Sequence, residues 1–199
     1  MDCKAADVDA AARVFADEFG WECLVDPGDW RGAIKARADN HWVAGLSNLD
    51  SPLYPPGTPP HISYYLAVGD AAAAHGLAVA DGATSLIAPT PVADQGILAT
   101  VIDPFGAAVS LWQPGAFAGW THPRGPRIPG RIVHESRDPA AAERFYRVRL
   151  GLSLRYADFT THLPGSPPDG DAAWTVAIPF GDQPTRPVRL TTGHRYLRC

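Results

Sequence analysis

The apolar residues of this chain alternate between short continuous runs and longer stretches at helical spacing, and the change between the two sets out its elements. The run His61–Val68 (HISYYLAV) is aromatic and aliphatic and predicts a strand. Asp70 follows as an N-cap, and the alanine-rich segment to Val79 has the highest intrinsic helix propensity available. Asp81-Gly82 stops that helix. Short apolar runs at Thr84–Ile87, Ile97–Ile102 and Ala107–Trp112 predict three more strands. The turn sets Pro89 to Gly96 and Asp103-Pro104-Phe105-Gly106 separate them. The predicted order is strand, helix, strand, strand, strand.

The amino-terminal text follows the same plan. Met1 to Ala6 is too short for a full strand. Asp7 caps a helix over Val8–Phe19 with Val8, Ala11, Ala12, Phe15 and Phe19 on one face, and Gly20-Trp21 ends it. Strands are expected at Trp21–Val25, Gly32–Ala38 and Trp42–Leu46. The first two are joined by a turn at Asp26-Pro27-Gly28-Asp29, the last two by an Asp39-Asn40 hairpin loop. A connector with five prolines in ten residues, Ser51–Pro60, cannot join a ladder or a helix. Beyond a second Gly/Pro-rich connector the pattern restarts. Asp138 aligns with Asp7, Tyr146 with Phe15 and Gly151 with Gly20 without a gap, which is an internal repeat. Strands at Arg155–Thr161 and Trp174–Pro179 follow. From Asp182 no closing strand pair is recognisable, and four arginines crowd the last fourteen residues of an irregular tail.

The YYLAVGD start with its Ala-rich helix, the helix-ending DGA and the DPFGAAVSLWQP ending resemble one half of a vicinal-oxygen-chelate fold, the family of glyoxalase I, bleomycin-resistance proteins and extradiol dioxygenases. The repeat as a whole resembles the tandem glyoxalase-like proteins of actinobacteria. That resemblance implies an α+β fold in which paired βαβββ units form a cup-shaped mixed sheet. The expected division is residues 1–115 as one cup built from units 1–50 and 61–114, a linker at 116–130, and residues 131–199 as an incomplete second domain. Three readings of the half-domain stay open: a truncated gene product, a tail of out-of-register text, or a half completed by a second chain in a homodimer.

Composition narrows the function classes. An apolar fraction of 46% with 19% charged residues is ordinary for a globular protein. A net charge of −4 gives no footing for nucleic acid. Cys3, Cys23 and Cys199 are odd in number and far apart, which argues against a disulfide framework and fits a reducing cytoplasm. No apolar run has the length of a membrane span or the form of a signal peptide. Motifs for a nucleophile elbow, a P-loop, a dinucleotide site or a zincin are absent.

The resemblance also implies where a divalent metal would be held. Its first-strand ligand lies seven residues before the capping aspartate, and its last-strand ligand four residues after the glycine of DP-x-G. Those positions are Ser63 and Ser110 in the second unit and Arg131 in the third; in the first unit the first-strand position precedes Met1. Serine hydroxyls are weak, neutral ligands, so no metal cofactor is expected. His61, His134 and Glu135 are the only candidates for one. Strand alternation places His61, Ser63 and Tyr65 on one face. With Ser110, Trp112 and Trp42 they would line an apolar cup supplied with hydroxyl groups. The expectation is a binding protein for a small hydrophobic or aromatic molecule, like the bleomycin-resistance proteins. The alternative is a metal-dependent lyase or dioxygenase whose site a partner chain completes. Whether the chain is an enzyme stays open on sequence alone.

Overall fold

A capping aspartate opens each helix. Asp7 accepts a hydrogen bond from the Ala10 N–H at 2.8 Å, Asp70 from Ala73 at 2.9 Å and Asp138 from Ala141 at 2.9 Å. Each satisfies a donor that the first helical turn leaves unpaired. The computed structural model describes residues 1–26, 33–52, 54–120, 124–161, 171–181 and 185–199. Its helices are α1 (Val8–Phe19), α2 (Ala71–Ala80) and α3 (Pro139–Arg144), the last continued by a π-helical turn over Phe145–Arg149. The turn expected at Asp26-Pro27-Gly28-Asp29 runs outside the described residues after Asp26.

The strands form three mixed sheets. In the first, β1 (Asp2–Ala5), β2 (Glu22–Val25), β3 (Ile34–Ala38), β4 (His41–Asn48) and β5 (His61–Ser63) lie in the order β2-β3-β4-β1-β5. In the second, β6 (Tyr65–Ala67), β7 (Thr84–Val92), β8 (Gly96–Ile102) and β9 (Ala108–Pro114) lie in the order β6-β9-β8-β7. Both share one topology. The strand before the helix runs parallel to the last strand of its segment, with Asp2 opposite Gly45 in one and Tyr65 opposite Ser110 in the other. Asp39 and Asn40, both at positive φ, make the tight β3–β4 hairpin their chemistry predicts.

Four expectations are corrected. Met1–Ala6 does hold a strand: β1 is short, but it is paired on both edges, by β4 and by β5. The single strand expected over His61–Val68 is two, because the chain changes partner at Tyr64. β5 runs antiparallel to β1, β6 parallel to β9, and one straight strand cannot keep both ladders. β7 continues to Val92 through Pro89 and Pro91, where a turn was expected. It is an edge strand with register shifts, where prolines cost no ladder bond on the open side. The tail is not irregular: β13 (Arg186–Arg189) and β14 (Arg195–Arg198) form an antiparallel hairpin, with Val188 opposite Tyr196. Thr191-Thr192-Gly193 turns it, Gly193 taking a φ of 87° that a side chain would resist. In the third repeat, β10 (Arg131–Glu135) runs parallel to β11 (Ala157–Thr160), and β12 (Ala173–Ile178) pairs at its end with β14.

The chain divides into two units: Met1–Ser63 with Trp120–Gly130 and Val176–Cys199, and Tyr64–Gly119 with Arg131–Thr175. The first is cored by Phe15, Phe19, Trp21 and Tyr196, all buried. The Trp21 indole N–H donates to the Arg127 carbonyl at 2.7 Å, and Glu18 accepts from both Tyr196 and Arg198, tying the tail hairpin to α1. Among the described residues no helix is long and apolar enough to cross a membrane.

His194 pins the same hairpin to β1. Its Nε2–H donates to the Lys4 carbonyl at 3.0 Å, its Nδ1 meets the Thr192 hydroxyl at 3.0 Å, and Phe15 packs on its ring. Burial pulls this imidazole below its ordinary 6.5 against the raising effect of the Lys4 carbonyl, and His61 lowers it further. The folded state therefore takes up a proton less readily than the unfolded chain. Stability is full above about 6.5 and declines as pH falls below it. Thermal melts between pH 8 and 5 should show that decline, and His194→Gln should flatten it. An equal decline in the variant would assign it to other groups.

Candidate functional site

The second unit holds the residues that matter, on two layers of its sheets. α2 buries Ala71, Ala74 and Ala78 against one face of the β6-β9-β8-β7 sheet, whose buried residues Leu66, Ala99, Val101, Val109 and Leu111 alternate onto that side. The opposite face carries the intervening residues. Cross-strand register sets Thr100 beside Ser110 and Ser110 beside Tyr65 in one row, and Leu98 beside Trp112 in the next. Ser110, 5% exposed, shares a 2.9 Å hydrogen bond with the Thr100 hydroxyl. Thr100, Tyr65, Leu98 and Trp112 are half-buried.

Trp112 is held from several sides. Its indole N–H donates to the Phe117 carbonyl at 3.1 Å, and the rings of Tyr65 and Phe117 meet it edge-on at 6.3 and 6.2 Å. Beneath it lies Gly96, where a Cβ would come within 2.6 Å of the indole and 2.4 Å of the Gln113 carbonyl. The ring is thus pre-positioned by backbone it could not approach if residue 96 had a side chain.

Three of the sequence-derived site residues, Tyr65, Ser110 and Trp112, come together on this face. The other three do not join them there. His61 and Ser63 are on β5, in register with Lys4 and Asp2, and the His61 Nδ1–H donates to the Pro59 carbonyl at 2.9 Å. Trp42 is on β4 opposite Arg37. All three belong to the first unit, and for His61 and Ser63 the change of partner at Tyr64 puts them on a different sheet from Tyr65.

The other layer, where β10 meets the π-helical turn, holds a polar network that sequence reasoning missed. His134 is fully buried, and its Nε2–H donates to Asp103 Oδ2 at 2.8 Å. The Tyr146 hydroxyl donates to the same oxygen at 2.7 Å and accepts from the Trp174 indole N–H at 3.1 Å. Asp103 Oδ1 accepts the backbone N–H groups of Phe105 and Ala107 inside its own hairpin turn. Phe105, Phe159 and Trp174 close around the imidazole. Burial would raise the Asp103 carboxyl, but the hydrogen bonds from His134 and Tyr146, the His134 charge and the Ala107 N–H together hold it below its ordinary 3.8. The Tyr146 phenol is pushed well above 10 by burial and then by the Asp103 charge. A faint signal existed: His134 aligns with Cys3 and Tyr146 with Phe15 in the repeat, two polar groups replacing buried neighbours in one copy.

His134 was a metal candidate, with Glu135 next to it. On β10 it packs against Tyr146 of the π-helical turn, and Glu135, half-buried, alternates to the other side. The donors present do not fit a divalent ion. The His134 Nε2–H is taken by Asp103, and the Ser110 hydroxyl is shared with Thr100. Among the described residues the buried His134 Nδ1 has no hydrogen-bond partner and no carboxylate or thiol gathered beside it, and no three His, Cys, Asp or Glu side chains gather. Nor do the thiols offer a ligand: burial raises Cys3 far above the ordinary range and Cys23 to about 11.

No protein-family model matches the chain. Over 157 residues it is 29% identical to CFP32 of Mycobacterium bovis, whose name assigns it provisionally to the glyoxylases. Over 165 residues it is 30% identical to the anthracycline biosynthesis protein DauV of Streptomyces sp. strain C5. Each alignment takes in 77% of this chain but only 59% and 60% of those two proteins, so the chain spans about three fifths of their length. In fold it is similar to the Mn(II)-bound glyoxalase from Novosphingobium aromaticivorans, with a TM-score of 0.59 at 15% identity over 99% of this chain and 80% of that one. It is similar also to 2,2',3-trihydroxybiphenyl 1,2-dioxygenase from Sphingomonas wittichii, with a TM-score of 0.57 at 12% identity over 99% and 88%.

Proposed function

Because the chain belongs to the vicinal-oxygen-chelate superfamily, whose sheets present an open face to a small molecule, we propose that it binds a small hydrophobic or aromatic ligand on the β6–β9–β8 face without a metal. The role would be binding or sequestration, as in a bleomycin-resistance-like protein. What carries this reading is Trp112. It is fixed by Gly96, by the Phe117 carbonyl and by two rings, yet remains half-exposed. A rigid aromatic side chain on an open face gives a planar ligand contact area with little ordering cost. The hydroxyls of Ser110 and Thr100 stand in the same patch where the superfamily's metal ligand would be, and a neutral hydroxyl pair does not anchor a first-row cation.

The test is an indole N–H resonance. In 1H–15N spectra of chelator-treated protein, the Trp112 signal, identified by its loss in Trp112→Phe, should shift on titration with indane. An unmoved signal would sink the reading. So would binding or turnover that appears only with one equivalent of a divalent ion.

A further inference from the structure

The sheet face described above carries a hydroxyl pair whose hydrogens have unequal places to go. Ser110 and Thr100 are direct cross-strand neighbours, with their oxygens 2.9 Å apart. Ser110 is almost wholly buried, and among the described residues its only side-chain partner is the Thr100 hydroxyl. A buried O–H must rest on an acceptor or lose the value of its hydrogen bond, so the Ser110 hydrogen belongs on Thr100 Oγ1. One hydrogen then remains in the pair, that of Thr100, and Thr100 is the half-exposed member. Having accepted from Ser110, the Thr100 hydroxyl is a polarised and better donor. Its χ1 is stiff because the side chain is β-branched, so the donor is held in place. Around it the surface is apolar or aromatic: Leu98 lies on the same strand face, with Tyr65 and Trp112 on the strands beyond.

We infer that Thr100 is the specificity-determining residue of this face and that it selects aromatic ligands bearing a hydrogen-bond-accepting oxygen, such as an aryl ketone, over the matching hydrocarbon. The inference rests on the reading of the β6–β9–β8 face as the ligand site and adds to it the chemical class of the ligand. Ser110 acts through Thr100 as a positioning residue. Where a metal in this fold would polarise a ligand oxygen, this chain offers a directed hydroxyl.

Equilibrium dialysis with a matched pair of probes, 1-indanone and indane, separates the two claims. The protein should bind 1-indanone about three- to ten-fold more tightly than indane, the worth of one net hydrogen bond. Thr100→Val, which keeps the shape and removes the hydroxyl, should erase that ratio, chiefly by weakening the binding of 1-indanone. Thr100→Ser, which restores a hydroxyl, should recover it. Equal binding of the two probes by the unaltered protein would overturn the inference and leave the ligand face standing, as would a ratio that survives in Thr100→Val. If neither probe binds, or if Trp112→Ala leaves the binding of both unchanged, the face itself is not the site and both claims fall.

Discussion

Replacing Asp103 by alanine is expected to destabilise the protein by about 3–5 kcal/mol, the cost of leaving several buried donors without the one carboxylate that they share. The loss has two parts. The His134 Nε2–H and the Tyr146 O–H are left without their shared acceptor inside a layer closed by Phe105, Phe159 and Trp174. The Phe105 and Ala107 N–H groups lose the carboxylate that organises the hairpin turn. Asp103→Asn should cost less, because its amide oxygen can still accept from those two N–H groups. His134→Leu should cost less in the Asp103→Ala background than alone, since each change removes the partner the other strands. Chemical denaturation of the four variants beside the unaltered protein measures all of this; additive losses would show that the residues are not one network.

The same carboxylate predicts a pH dependence. Its folded value lies below 3.8, so its contribution is complete above the unfolded value and disappears as pH falls through the folded one. The stability difference between the protein and Asp103→Asn should therefore stay level from pH 7 to about 4 and shrink below that. A difference that instead grows on acidification would reverse the assignment.

Gly96→Ala is expected to cost about 1–3 kcal/mol and to abolish indane binding, because overpacking at this point has no flexible neighbour to absorb it. The added methyl would sit 2.4 Å from the Gln113 carbonyl, which is backbone, and 2.6 Å from the Trp112 ring. One of them must move. The ladder between β8 and β9 holds the carbonyl, with Gly96 opposite Pro114 and Ile97 opposite Gln113, so the indole is the group displaced. Its bond to the Phe117 carbonyl and its edge contacts with Tyr65 and Phe117 then fail together. A denaturation curve combined with the Trp112 N–H shift distinguishes the outcomes. A stable variant with an unmoved resonance would show that Trp112 is not set by Gly96.

Local rules made part of this legible before any coordinates. Asp7, Asp70 and Asp138 announce helices because a side-chain carboxylate next to an apolar-periodic stretch has an orphan N–H to meet. Asp39-Asn40 announces a hairpin because both residues tolerate positive φ. The DP-x-G hairpin followed by an apolar strand put Ser110 and Trp112 two residues apart on one face, and of the residues expected with them Tyr65 lies opposite Ser110. His61 and Ser63 were assigned to that face by alternation, which holds only while a strand keeps one partner.

By itself, then, the amino-acid sequence determined the helices, their caps and the repeat, since these depend on residues a turn or a strand apart, and its motifs carried the resemblance to the superfamily. What only the tertiary structure decided is which distant residues meet. Asp103, His134, Tyr146 and Trp174 are bound to one another across gaps that no local period spans. Thr100 takes its role only from lying beside Ser110 on the next strand. The tail hairpin is anchored by His194 and Glu18, residues at opposite ends of the chain. A buried polar group needs a partner but does not say where along the chain that partner lies, and closure of the fold is what supplies it.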